Sequence, residues 1–252
     1  MKTFKKDFLN IHIYNTRAEM GKAAAQDIKA CILSMLSEKE SINMIFAAAP
    51  SQNEVLEALA TDTDIPWNRV NAFHMDEYIG LSADAPQGFG NFLKNRIFGI
   101  ANFKSVNYID ISAVDVQGEC MRYAMRLKEN PVDIVVMGIG ENGHIAFNDP
   151  PVADFNDKEL VKPVALDDIC RNQQVNDGCF AMIDDVPKTA ITLTVPALFA
   201  GDRLFCIVPA ATKASAVRAT ICDDISERCP ATILRRHKNA VLYLDRDSSS
   251  LL

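Results

Sequence analysis

The chain is predicted to fold as a single doubly wound α/β domain, a mostly parallel sheet flanked by helices. Two observations carry this expectation. Short apolar or β-branched runs recur along the chain and alternate with amphipathic stretches of helical period, the pattern that builds successive strand–helix–strand crossovers. One such run, Val132 to Met137, feeds directly into a glycine-rich turn that ends in His144. Buried parallel strands meet ligand-binding turns in this way at a sheet's carboxyl edge. A chain of 252 residues can bury one full core. No repeat, low-complexity linker or charge block divides it, so residues 1–252 are expected to form one domain.

Taken in order, Leu9 to Tyr14 reads as the first strand from its β-branched and aromatic content. Thr16 then caps a long helix, whose Met20, Ala24, Ile28, Cys31, Ile32 and Leu36 share one apolar face. Ile42 to Ala48 forms the second strand and runs into Ala49-Pro50-Ser51-Gln52, followed by a helix marked by Val55, Leu56 and Leu59. Val70 to Met75 is the third strand, with Asp76-Glu77-Tyr78 at its end. Gly88 to Phe98 is expected to be helical and to cover a pocket. Val106 to Ile109 is a short strand, and Met121 to Leu127 lies within a helix that leads into the strand at Val132. Beyond the glycine turn, Leu160 to Leu166 and Ala190 to Val195 read as strands separated by a polar helix from Asp167 to Gln174. Leu204 to Val208 is a further strand that turns through Pro209-Ala210-Ala211-Thr212-Lys213 into a helix, Ala214 to Ile221. A short helix, Ala231 to His237, and a strand, Ala240 to Leu244, complete the pattern.

Composition narrows the class of function. A net charge of −7 and the absence of any basic run or aromatic-studded basic strip argue against nucleic acid as a partner and against adsorption to anionic membranes. The apolar stretches break too soon to span a bilayer, and the N-terminus lacks the apolar core of a secretion signal. Seven cysteines form no C-x-x-C pair and match no zinc-finger spacing, the pattern of free thiols in a reducing compartment. A cytoplasmic location is expected.

Chemistry concentrates in PVDIVVMGIGENGHIAFNDPP, residues 131–151. Gly138, Gly140 and Gly143 let a ligand approach the backbone closely, and His144 sits where it can exchange protons near neutral pH. The letters also satisfy G-x-G-x-x-G. That dinucleotide fingerprint, however, needs a helix opening within the glycines and an acidic residue about 20 positions later, whereas here HIAFNDPP does not continue a helix. Ser51 and Gln52 stand at a strand-to-helix junction suited equally to phosphate binding and to simple capping. Lys213, at a helix N-terminus, has the wrong sign for the helix dipole and suits a site shared with an anion.

Three motifs in this order, FHMDEYIGL at 73–81, GIGENGHIAFNDPP at 138–151 and PAATKASAVRA at 209–219, resemble the glucosamine-6-phosphate deaminase family, and the likeness runs from about residue 10 to the C-terminus. That resemblance implies a Rossmann-like fold shared with sugar-phosphate isomerases and 6-phosphogluconolactonases. It implies conversion of glucosamine 6-phosphate and water to fructose 6-phosphate and ammonium, with no cofactor and no metal. Asp76 would be the base that moves a proton from C2 to C1, and His144 would open the pyranose ring. Asn142 and Asp149 would orient that histidine. Ser51, Gln52, Glu77, Gly140, Gly143 and Lys213 would hold the sugar phosphate. A homo-oligomer is compatible with the family.

The chain also departs from the family pattern. Asn142 stands where well-known members carry aspartate, and Asp149 where they carry glutamate. The phosphate loop, usually glycine-rich, reads AAAPSQ. Gln174 occupies the place of a phosphate-binding arginine, for which Arg171, one helical turn earlier, is the expected substitute. Beyond Lys158 and Lys162 the segment after the histidine loop offers little basic character, so the allosteric pocket of some hexameric members is not expected. Three alternatives remain open: deamination of the galacto epimer, hydrolysis of 6-phosphogluconolactone, and a non-catalytic sugar-phosphate sensor on the same fold. The lactonase reaction needs no carbon acid and leaves Asp76 without a task.

Overall fold

A computed structural model describes residues 1–110 and 112–252. Among the described residues, eleven strands and seven α-helices follow one another. The first half runs β1 (Lys2–Lys6), β2 (Leu9–Ile13), α1 (Arg17–Leu36), β3 (Ile42–Phe46), α2 (Asn53–Ala60), β4 (Val70–His74), β5 (Asp76–Tyr78), α3 (Phe89–Leu93), β6 (Ser105–Asn107) and α4 (Val116–Glu129). The second half runs β7 (Ile134–Met137), β8 (Val161–Ala165), α5 (Asp168–Asn176), β9 (Thr189–Leu193), α6 (Val195–Phe199), β10 (Arg203–Val208), α7 (Ala214–Cys222) and β11 (Ala240–Leu244). Eight strands form the main sheet in the order β1-β2-β11-β10-β7-β3-β4-β6, parallel throughout except for the edge pair β1–β2.

Burial explains the centre of this sheet. Every residue of β7 is buried, because helices cover both faces of a parallel sheet and demand continuous apolar character. Side-chain alternation divides the core in two. Ile134 and Val136 pack with Met20 and Ile28 of α1 and Leu56 of α2, while Val135 and Met137 pack with Tyr123 of α4 and Val217 of α7. The Thr16 hydroxyl caps α1 by accepting from the Glu19 N–H at 3.1 Å, as its position in the sequence predicts.

Three features differ from the expectation. The sequence does not signal β1, since KTFKK is polar. It pairs as an edge hairpin through Asp7, whose φ is 52°, and its lysines are of the kind that keep an exposed edge from pairing further. Residues 88–98 are helical, but the second half, Lys94–Phe98, widens into a π turn closed by the Gly99 N–H on the Lys94 carbonyl. The mostly parallel sheet is also not alone. β5, β9 and β8 leave it to form a separate antiparallel sheet. The break falls at Met75, whose carbonyl accepts from the Leu193 N–H at 2.8 Å and turns the chain across the end of β4.

Helices α1 and α2 meet at Gly21, where an added Cβ would lie 2.4 Å from Glu54 Cβ. In an exposed helix Gly→Ala gains about 1 kcal/mol. Here overpacking costs about 1–3 kcal/mol, so Gly21→Ala is expected to lower the thermal midpoint rather than raise it, as a calorimetric melt would show.

Candidate active site

Parallel strands present their carboxyl ends along one edge, so the loops that follow β3, β4, β7 and β10 converge there. Together they wall a cleft. The loop after β3 contributes Ala47 to Ser51, the break after β4 contributes Met75 and Asp76, and the turn after β7 contributes Gly138, Ile139, Gly140 and His144. Pro209, Ala210, Thr212 and Lys213 follow β10. Gln173, Gln174 and Asp177 approach from α5 and its end, and Arg17 from the first turn of α1.

The imidazole of His144 is oriented from behind. Its Nδ1 lies 2.8 Å from Asn142 Oδ1 and 3.0 Å from Asp149 Oδ1. Both are acceptors, so Nδ1 carries the proton and Nε2 keeps a free lone pair. Asn142 closes the triangle by donating from Nδ2 to Asp149 Oδ1 at 2.8 Å, and its Oδ1 also accepts from the His144 N–H. Burial alone would raise the Asp149 carboxyl. Hydrogen bonds and charge from His144, then the bonds from Asn142 and Cys170, bring it below its ordinary value instead. The ring lies against Gly140, where a Cβ would come within 2.1 Å of it, so no larger residue fits. Asn142 and Asp149 therefore act on the histidine and do not line the cleft themselves.

Asp76 sits in the opposite environment. It is 6% exposed, faces the cleft, and no donor among the described residues bonds its carboxylate. Burial, and secondarily the charge of Glu77, push its carboxyl well above the ordinary value. The aromatic rings of Phe89 and Phe147 stack 5.4 Å apart on the cleft wall and exclude water. His74, wholly buried, steadies the backbone. Its Nε2 accepts from the Ile109 N–H and its Nδ1–H donates to the Asp76 carbonyl, each at 2.9 Å. Burial lowers the His74 imidazole to about 4 and keeps it neutral.

Glu77, expected on the substrate surface, is not there. Adjacent strand residues point to opposite faces, and its carboxylate instead accepts the N–H groups of Tyr78, Phe89 and Gly90 at 2.8–3.0 Å. It anchors the start of α3, and through it Phe89. Burial raises its carboxyl, opposed by those three bonds.

At the other end of the cleft, Lys213 is 4% exposed and no ion pair or hydrogen bond among the described residues engages its ammonium. Burial lowers its proton affinity, opposed by the charges of Asp177 and Glu141. Ser51 lines the cleft as expected. Gln52 does not, because its amide turns inward to Ser51 Oγ and the Ile207 carbonyl, tying the loop to β10. Gly143 also lies off the wall, at φ 85° and packed against the Cys229 thiol. Arg171 is the clearest correction. Its guanidinium is buried and engaged by Asp168 and by the carbonyls of Ile183 and Val186, away from the cleft. Gln174, one turn on, lines the cleft instead.

Arg17 and Gln173 are not among the site residues that the sequence marks. Gln173 accepts from the Glu141 N–H and donates to Asp177, clamping the histidine turn to α5. No local motif points to either. The run QQ at 173–174, facing a predicted site, is the nearest signal. Donor atoms of His144, Asp149 and Cys170 lie within 4.8 Å of one another. A cation there would have to displace the Nδ1 proton and a thiol proton that burial holds well above its ordinary value, so the group serves to position His144. The cleft as a whole combines a carboxylate and an ammonium that are both unpaired among the described residues with an oriented imidazole, the parts needed to bind an anion and shuttle protons beside it.

Comparison with known proteins identifies the family of the chain. The family profile described as glucosamine-6-phosphate isomerases/6-phosphogluconolactonase matches residues 15–243. The chain is 32% identical over 211 residues to a glucosamine-6-phosphate deaminase of Listeria innocua serovar 6a, a match covering 84% of this chain and 88% of that protein. A deaminase of the same name from Lactobacillus delbrueckii subsp. bulgaricus is 30% identical over 244 residues, covering 97% and 100%. Among solved structures, one described as a monomeric glucosamine-6-phosphate deaminase superposes with a TM-score of 0.86 at 27% identity, covering 96% of this chain and 99% of that one. The 6-phosphogluconolactonase of Thermotoga maritima shares the fold, with a TM-score of 0.78 at 21% identity, covering 94% and 99%. With a profile match that spans nearly the whole chain, the protein belongs to the family of glucosamine-6-phosphate isomerases and 6-phosphogluconolactonases.

Proposed function

We propose that the protein converts glucosamine 6-phosphate and water to fructose 6-phosphate and ammonium. One observation carries this reading: a buried Asp76 carboxylate with raised proton affinity and the Lys213 ammonium, both unpaired among the described residues, share a cleft with a His144 whose Nε2 meets no donor among them. The relatives named as glucosamine-6-phosphate deaminases support it, and lactone hydrolysis has no use for a carbon-acid base.

In this reading Lys213 and the Ser51 end of the cleft hold the phosphate. His144 Nε2 takes the proton of the anomeric hydroxyl and returns it to the ring oxygen, opening the pyranose. Asp76 then removes the C2 proton. The electron pair of that C–H bond forms the C1=C2 bond while the aldehyde oxygen takes a proton from the substrate's ammonium group, giving the enolamine, and the same carboxyl delivers its proton to C1. Water adds to the resulting C2 imine, and expulsion of ammonia leaves the ketone. A base of raised proton affinity held in place suits removal of a carbon-bound proton. Among the described residues no helix is long and apolar enough to cross a membrane, and seven unpaired cysteines support a reducing, cytoplasmic setting.

The deciding assay is ammonium release with matched fructose 6-phosphate formation from glucosamine 6-phosphate. Silence there, with turnover of 6-phosphogluconolactone instead, would overturn the reading. Asp76→Asn is expected to reduce ammonium release and C2 proton exchange at least ~100-fold, while inorganic phosphate still competes for the site. For His144→Gln the loss should be greatest with cyclic substrate; an equal loss with an open-chain analogue would contradict ring opening.

The raised Asp76 carboxyl also couples activity and stability to pH. The base must be ionised, so kcat/KM should fall as pH drops through a value above the ordinary carboxylate range. Stability runs the other way. The folded state holds this proton more tightly than the unfolded chain, so its contribution is present at low pH and lost as pH rises through the folded value. Asp76→Asn should therefore melt close to the parent at low pH and above it at high pH, which a pH series of thermal melts reads directly.

A further inference from the structure

We propose that Arg17 supplies the second cation of the phosphate site, acting with Lys213 from the opposite wall of the cleft. The inference rests on the sugar-phosphate reading above. A phosphate monoester carries a charge of about −1.5 to −2 at neutral pH. The cleft wall already holds two carboxylates, Asp76 and Asp177, and its permanent cations are Lys213 and Arg17. Lys213 alone leaves such a ligand under-neutralised. Gln174, which also faces the cleft and makes no side-chain hydrogen bond among the described residues, offers donors without charge.

The guanidinium of Arg17 is fixed rather than waving in solvent. Its Nε pairs with Glu54 and one Nη donates to the Pro50 carbonyl, while Nη1 has no partner among the described residues. Pro50 belongs to the cleft-lining loop, so the second bond pins Arg17 to the wall. Gly21 makes this reach feasible, because its missing side chain lets α1 lie directly on Glu54. The loop itself is poor in donors for an anion. Pro50 has no N–H, and the Gln52 N–H is already taken by the Ala49 carbonyl at 2.9 Å. A preorganised guanidinium from α1 compensates for that deficit.

The competing account is that Arg17 only fastens α1 to α2. Two variants separate them. Arg17→Gln removes the cation. Glu54→Gln removes the charge of the pair but keeps an acceptor for Arg17. The probes are inorganic phosphate as a competitive inhibitor and as a ligand that raises the melting temperature. Loss of charge-assisted hydrogen bonds should raise KM for glucosamine 6-phosphate and the phosphate inhibition constant about 10- to 100-fold in Arg17→Gln, with kcat little changed. Glu54→Gln should change both far less. If the two variants lower the melting temperature alike and leave phosphate affinity at the parental value, Arg17 is only a fastener and the proposal fails. Should the parent protein release no ammonium, the phosphate-induced shift still decides. Dependence of that shift on Arg17 upholds the site while the catalytic reading falls, and independence overturns the site.

Discussion

Asp76 is largely buried, with no donor among the described residues on its carboxylate, and much of the surrounding structure exists to keep it so. The chain leaves the main sheet at Met75, and β5 pairs with β9 instead, which sets Asp76 at the cleft and turns Glu77 to the other side. Glu77 then holds the start of α3, and α3 holds Phe89 against Phe147 as a dry wall. His74 anchors the Asp76 carbonyl from beneath. Each of these contacts is ordinary by itself. Their joint effect is a carboxyl group whose ionised form is costly, and that cost is the source of its basicity.

The two aspartates of the site show how environment divides one chemical group between two tasks. Asp149 is even less exposed than Asp76, yet it receives hydrogen bonds from His144 and Asn142 and its proton affinity falls. Asp76 receives none and its proton affinity rises. The first suits orienting an imidazole, the second suits exchanging a proton with carbon. Asn142 in place of an acid leaves the triangle geometrically intact, because an amide can accept from Nδ1–H and donate to Asp149 at once. It leaves Asp149 as the acid behind the ring.

Much of the site is legible in the sequence. His144, Gly140, Ser51 and Lys213 each follow a strand closely, and parallel strands deliver such residues to a common edge. The misplaced expectations have two physical causes, side-chain direction and competing partners. Gln52 and Glu77 are immediate neighbours of cleft residues, but a one-residue step reverses side-chain direction in a strand and swings it far round in a helix. Charge favours Arg171 over Gln174 as a phosphate ligand, yet the carbonyls of Ile183 and Val186, twelve and fifteen residues on, compete for its guanidinium. Arg17 stands at the far end of the chain from most of the cleft, in a helix with no site-like neighbours.

By itself, then, the sequence determined the alternation of strands and helices, the edge at which loops meet, and the chemical types assembled there. Those follow from periodicity, glycine and proline placement and apolar runs, all local quantities. Only the tertiary structure decided which carboxylate stays unpaired, which cation faces the ligand, and that three short strands leave the main sheet to build a second one. Proton affinity, charge exposure and side-chain direction depend on what packs around a group. Many of those neighbours lie tens to hundreds of residues away, as Ile207 does from Gln52, and no local pattern encodes them.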